Sequence, residues 1–91
     1  MKFQWMRRCR RTASEQQYIW SAMRIFARLP EARRREIRAM VNAIADTPVE
    51  GRALFDMAVR GLPPQAVNAR TGVSIERLYR MREEFYDRLP L

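Results

Sequence analysis

The chain has 91 residues, 47% of them apolar, and its 18 basic side chains outnumber the 10 acidic ones for a formal charge of +8. This length gives one small domain with one modest core, and the apolar content argues against a disordered chain. The charge favours a polyanionic partner on electrostatics alone, while the lack of histidine and the single cysteine exclude Cys–His catalysis and zinc sites.

All the basic residues except Lys2 are arginine, whose planar fork suits phosphate and guanine. Residues 1–13 hold Lys2, Arg7, Arg8, Arg10 and Arg11 with no acid. They read as a basic arm, partly disordered when free, followed by a helical domain over residues 14–91. Such an arm lies along phosphates or enters the minor groove. Phe3, Trp5 and Met6 also permit a membrane-surface or protein contact, or packing back onto the domain. Cys9 stands between Arg7, Arg8, Arg10 and Arg11, which would favour its thiolate. A redox switch or a disulfide-linked dimer is weighed there against an incidental cysteine. No apolar run of roughly 7–15 residues follows the basic N-terminus, and none approaches the roughly 20 that span a bilayer. A cytoplasmic protein with no membrane partner is expected.

Thr12 with Glu15, and Ser14 with Gln17, form overlapping capping boxes, so a first helix should start near Ser14 and run to about Arg28. Ile19, Ala22, Met23, Phe26 and Leu29 make its apolar face, widened by Tyr18, Trp20 and Ile25. Tyr18 and Trp20 are candidate dimer contacts or complete the core. Pro30 breaks this helix and opens a second, Glu31 to Ala45. Ile37, Met40, Val41 and Ile44 face inward there. Arg33, Arg34, Arg35 and Arg38 form a basic face, either solvated or set against phosphates, with Glu31 and Arg35 as a supporting pair.

Thr47, Pro48 and Glu50 are the clearest helix start in the chain. This third helix should reach about Arg60, with Val49, Ala53, Leu54, Met57 and Ala58 inward and Gly61 closing it. Leu62 packs under a turn that Pro63 and Pro64 stiffen. A short helix from Gln65 to Arg70 should end at Gly72, where φ > 0 is needed. Val73 plugs the turn, and Ser74 caps a last helix whose stripe is Leu78, Phe85 and Leu89, with Met81 near its edge. No strand pattern occurs. The expected fold is all-α, about five helices, with a C-terminal trihelical helix-turn-helix at residues 62–89.

The run from Ala69 to Leu78, ARTGVSIERL, resembles the helix-turn-helix of the MerR and excisionase group. From Arg52 to Leu89 the layout is similar to region 4 of sigma factors and to LuxR-type output domains, including the Gly61-Leu62 pair. The Pro64-Gln65-Ala66 start and the turn Gly72-Val73-Ser74 are comparable to TrfB/KorA-type plasmid repressors. The first 45 residues take no part in these resemblances. They imply a second helix lying in the major groove. On that basis Arg77 and Arg80 would reach base edges, and Glu76 would accept from a cytosine amino group. Gln65 and Arg70 would hold phosphates, and Ser74 would cap. Two positions depart from the pattern: Asn68 replaces a small residue, and Arg82 replaces a buried leucine. Either the packing turns to Met81, or the motif serves something other than DNA.

Glu83, Glu84 and Asp87 lie one turn from Arg80 and Arg88 and read as surface pairs. With no glycine-rich phosphate loop either, an enzyme is not expected, and no cofactor is called for. The function expected is a small, sequence-selective regulator of transcription that binds double-stranded DNA as a homodimer. The alternative is a phage- or plasmid-type interaction module docking on a larger complex such as the transcription machinery. RNA binding through the arm is a third reading, weakened by the lack of a sheet platform.

Overall fold

Thr12 opens the first helix by a reciprocal capping box. Its hydroxyl accepts from the Glu15 N–H at 3.2 Å, and the Glu15 carboxylate accepts from the Thr12 N–H at 2.9 Å. The computed structural model describes residues 6–90, and among them every regular element is helical. Helix α1 spans Ala13–Arg24 and is followed by a 3-10 turn, Phe26–Arg28. Helix α2 spans Glu31–Ile44. Helix α3, Pro48–Leu54, passes directly into a π-helical turn, Phe55–Val59. Helices α4, Pro64–Thr71, and α5, Ile75–Arg88, complete an all-α fold.

One core joins these elements. Ile19 and Met23 of α1, Ile37 and Val41 of α2, Leu54 of α3, Val67 of α4, and Leu78, Met81 and Phe85 of α5 are all buried. Met81, expected at the edge of the stripe, is fully enclosed. Arg82 is half-buried beside it, its guanidinium 5.2 Å from the Tyr79 ring centroid. Packing has therefore turned to Met81, and the partly buried Arg82 guanidinium lies along an aromatic ring.

Four local features differ from the expected helical pattern. The α-helical part of α1 stops at Arg24, and the 3-10 turn then delivers the chain to Pro30. Tyr18 is 64% exposed and Ile25 49% exposed, so neither widens the core. At the end of α3 the ladder loosens: the Arg60 N–H reaches Phe55 O at 3.1 Å and the Leu62 N–H reaches Asp56 O at 3.0 Å. The wider turn brings Val59 inward together with Met57 and Ala58. Val49, expected inward, is 38% exposed.

Gly61, at φ +75°, ends this segment. The position favours glycine for its left-handed backbone, and an added Cβ, 1.5 Å from Nη1 of Arg24, would displace that guanidinium. Arg24 is held in that gap. Its Nη2 donates to Ala58 O at 3.0 Å, and its guanidinium lies 4.7 Å from the Trp20 ring centroid.

The described part of the basic arm folds back on the domain. Met6 is buried, and the enclosed Gln16 side chain serves its backbone as a peptide would. Gln16 Oε1 accepts from the Met6 N–H at 2.8 Å, while its Nε2 donates to Met6 O and Arg11 O. Arg10 and Arg11 turn to the C-terminal end of α5, donating to the carbonyls of Asp87, Tyr86 and Leu89. Guanidinium groups satisfy there the carbonyls that a helix end leaves free. Lys2, Phe3 and Trp5 lie outside the described residues.

Candidate nucleic-acid interface

The α4–α5 turn is built by side-chain hydrogen bonds. Gly72 adopts φ +78° and returns its N–H to Asn68 O. Asn68 Nδ2 then donates to Val73 O at 2.8 Å. Thr71 Oγ1 donates to Val67 O and accepts from the Val73 N–H. Asn68 thus closes the turn that a small residue would leave to backbone contacts alone. Ser74 starts α5, its Oγ accepting from the Arg77 N–H at 3.1 Å.

The site residues read from the sequence are sorted by this geometry. Arg77 points to the junction of α2 and α3. Its Nε and Nη2 donate to the Glu50 carboxylate at 3.2 and 3.1 Å, and Nη2 also reaches Asp46 Oδ2 at 3.2 Å and Ile44 O at 3.5 Å. Arg77 raises its own pKa by these bonds, and they hold the Glu50 carboxyl below the usual carboxylate range. Two carboxylates and 29% side-chain exposure make this a structural tie.

Arg80 is paired differently. Among the described residues it pairs with Glu76 alone, one turn back, with both side chains largely in solvent at 63% and 78% exposure. An exposed i,i+4 pair contributes only about 0.3–0.5 kcal/mol, so this arginine exchanges partners at little cost. Glu76, Tyr79, Arg80 and Arg82 line a groove of about 410 Å³ with Arg7 and Arg8. The arm and the exposed face of α5 meet there. Arg7 and Arg8 have no ion pair among the described residues. Arg82 Nε is buried with no hydrogen-bond partner, and burial lowers the pKa of this arginine.

Arg70 is elsewhere. It lines a different groove of about 520 Å³ with Arg38, Arg52 and Arg60, between α2 and α3. Gln65 is exposed on α4. Arg10 and Arg11 serve the C-terminal end of α5, far along the helix from Glu76. Trp20 is half-buried against the core, whereas Tyr18 stands in solvent. Tyr79 is not among the site residues read from the sequence, and Arg82 is read there only as a departure from the helix-turn-helix pattern. Their signal was available: Glu76, Tyr79, Arg80 and Glu83 recur at helical spacing opposite the buried stripe.

Cys9 behaves contrary to its arginine-rich neighbourhood. Burial and a hydrogen bond from its thiol to Asp87 Oδ1, at 3.1 Å, push its pKa up to about 11. Its neighbour Arg10 donates its backbone N–H to the same Asp87 Oδ1, and only Arg11 offsets the rise. The thiol is therefore held neutral.

Among the described residues no group of three His, Cys, Asp or Glu could hold a metal ion, and no helix is long and apolar enough to cross a membrane. Compared with protein-family models, curated proteins and solved structures, the chain matches none.

Proposed function

We propose that this all-α protein binds double-stranded DNA through the exposed face of α5 and the adjoining N-terminal segment, and regulates transcription in the cytoplasm. The observation that carries this reading is the single groove in which Arg7, Arg8, Arg80 and Arg82 gather around Tyr79 and outnumber its two acids, Glu76 and Glu83. Residues far apart in the chain concentrate positive charge beside the first turns of a helix, where a major-groove reader presents its contacts. Arg80 takes the role of base reader, with bidentate contact to guanine O6 and N7, releasing Glu76 as it does so. Arg7 and Arg8 neutralise phosphates. Arg77, committed to Glu50, sets the position of α5 instead of touching a base.

One arginine reads little sequence, so a homodimer on two half-sites is part of the proposal, with exposed Tyr18 as its candidate contact. A second reading is protein docking on a larger complex, such as the transcription machinery. The loss of Arg77 as a free side chain favours it.

Fluorescence anisotropy separates the two. Promoter-proximal duplex from the protein's own locus is compared with shuffled duplex over a range of salt. Preference for its own DNA that persists at ~0.2 M salt supports specific readout. Equal affinities that collapse together with salt mean counterion release alone, and the regulator reading fails.

A further inference from the structure

A third groove gathers four arginines, three of which have no acidic partner among the described residues. Every acidic residue except Glu83 is ion-paired to an arginine within the described chain. The surplus charge therefore resides on arginines without a carboxylate. Arg24, Arg34 and Arg38 are of this kind, and with Arg60 they line a groove of about 600 Å³ between α1, the 3-10 turn, α2 and the π-helical turn. No acidic residue lines it. Its floor is apolar: Phe26 and Phe55 meet edge to face with centroids 5.3 Å apart, flanked by Met23 and Val59.

Arg38 is the central element. Its guanidinium lies 5.3 Å from the Phe26 centroid and 5.7 Å from that of Phe55. Aromatic contact orients the fork, and its N–H groups have no hydrogen-bond partner among the described residues. Arg34 is anchored by one donor to Ala27 O at 3.1 Å and keeps the others.

We propose that this groove binds an acidic segment of a protein partner, in which a large apolar side chain is flanked by carboxylates. The apolar side chain rests on Phe55 and Ala27, the apolar lining residues that are not buried, and the carboxylates bond Arg34 and Arg38. A nucleic acid fits less well. Stacking a base requires an open ring face, but Phe26 is 7% exposed and Arg38 overlies both rings. A second copy of the chain fits less well too, because all of its acidic side chains but Glu83 are already paired among the described residues. The groove is separate from the α5 face and does not depend on the DNA reading.

The test uses the full-length protein and three fluorescein-labelled probes. One is a short peptide alternating glutamate with leucine and phenylalanine. The others are oligoglutamate and single-stranded oligothymidylate of matched charge. The alternating peptide should bind most tightly. R38E and R34E should each weaken it at least about tenfold, with helical circular dichroism retained, and R80A should leave it unchanged. The proposal is overturned if oligoglutamate binds as well as the alternating peptide, since that is attraction to charge alone. It is also overturned if both folded reversal variants bind the peptide normally. Tighter oligothymidylate binding that R38E abolishes would make the groove a nucleic-acid site and overturn it as well.

Discussion

Arg77 and Glu50 join the first turn of α5 to the first turn of α3 through two parallel hydrogen bonds, Nε to Oε2 at 3.2 Å and Nη2 to Oε1 at 3.1 Å. The same Glu50 carboxylate accepts from the Asp46 N–H at 2.9 Å. One carboxylate therefore closes the start of one helix and positions another. The arginine that the helix-turn-helix pattern assigns to a base edge is part of the scaffold.

Arg77→Ala should consequently act on stability first. Hydrogen bonds to charged partners contribute about 1.5–3 kcal/mol when shielded. Partial exposure here reduces that, and a loss of about 1–2 kcal/mol is expected. In a domain of this size each kcal/mol is about 4–8 °C in Tm. Urea titration and thermal melting check this. Arg77→Lys should recover only part of the loss, because an ammonium cannot make the paired contact. Preserved stability with lost DNA preference would return Arg77 to the base-reading role.

The same tie gives a pH dependence. Hydrogen bonds from Arg77, then from the Asp46 N–H, hold the folded Glu50 carboxyl below its ordinary value. The unfolded chain thus binds this proton more readily, and the contribution is complete above the ordinary glutamate range, about 4.3. It is lost as pH falls through the depressed folded value. Unfolding free energy should decline below about pH 5. In Glu50→Gln that decline should be shallower, from a lower starting stability at neutral pH. Parallel acid profiles for the two proteins would refute the assignment.

DNA binding should separate Arg80 from the arm. Arg80→Ala should cost about 1–3 kcal/mol against the preferred duplex and much less against shuffled duplex. Replacing Arg7 and Arg8 together with alanine should weaken both duplexes alike. The slope of log affinity against log salt should fall by about 0.9 for each phosphate contact removed. Anisotropy over a salt series reads both effects. If Arg80→Ala weakened both duplexes equally, Arg80 would be a phosphate contact.

Cys9 should be a slow thiol. With its pKa near 11, the thiolate fraction at pH 8 is roughly two orders of magnitude below that of an ordinary cysteine. Reaction with a chromogenic disulfide should be slowed accordingly in the folded protein. Asp87→Asn should accelerate it, because the carboxylate that raises the pKa is removed while the side chain stays similar in shape. A native rate equal to that of the unfolded chain would show that the thiol is not held as described.

Gly61 and Gly72 should respond unequally to alanine. Both have positive φ, and at Gly72 the added Cβ meets nothing within 4 Å. That substitution should cost about 1–2 kcal/mol for the left-handed backbone alone. At Gly61 the Cβ also displaces Arg24 from Ala58 O and from Trp20. Gly61→Ala should therefore exceed Gly72→Ala by about 1 kcal/mol or more in chemical denaturation.

Helix starts and stops could be read from the chain because their causes are local. Thr12, Thr47 and Ser74 each cap an N–H three residues ahead, and Gly72 ends a helix by its own backbone conformation. The buried stripes of α2 and α5 followed from helical periodicity for the same reason. The fates of the arginines had no such local cause. Arg77 found Glu50 27 positions away, and Arg11 found the end of α5 75 positions away. In a chain where nearly every basic residue is arginine, the residue type does not distinguish a tie from a free charge. Only packing decides which long side chains meet a carboxylate or a helix-end carbonyl, and which, like Arg7 and Arg38, meet neither among the described residues.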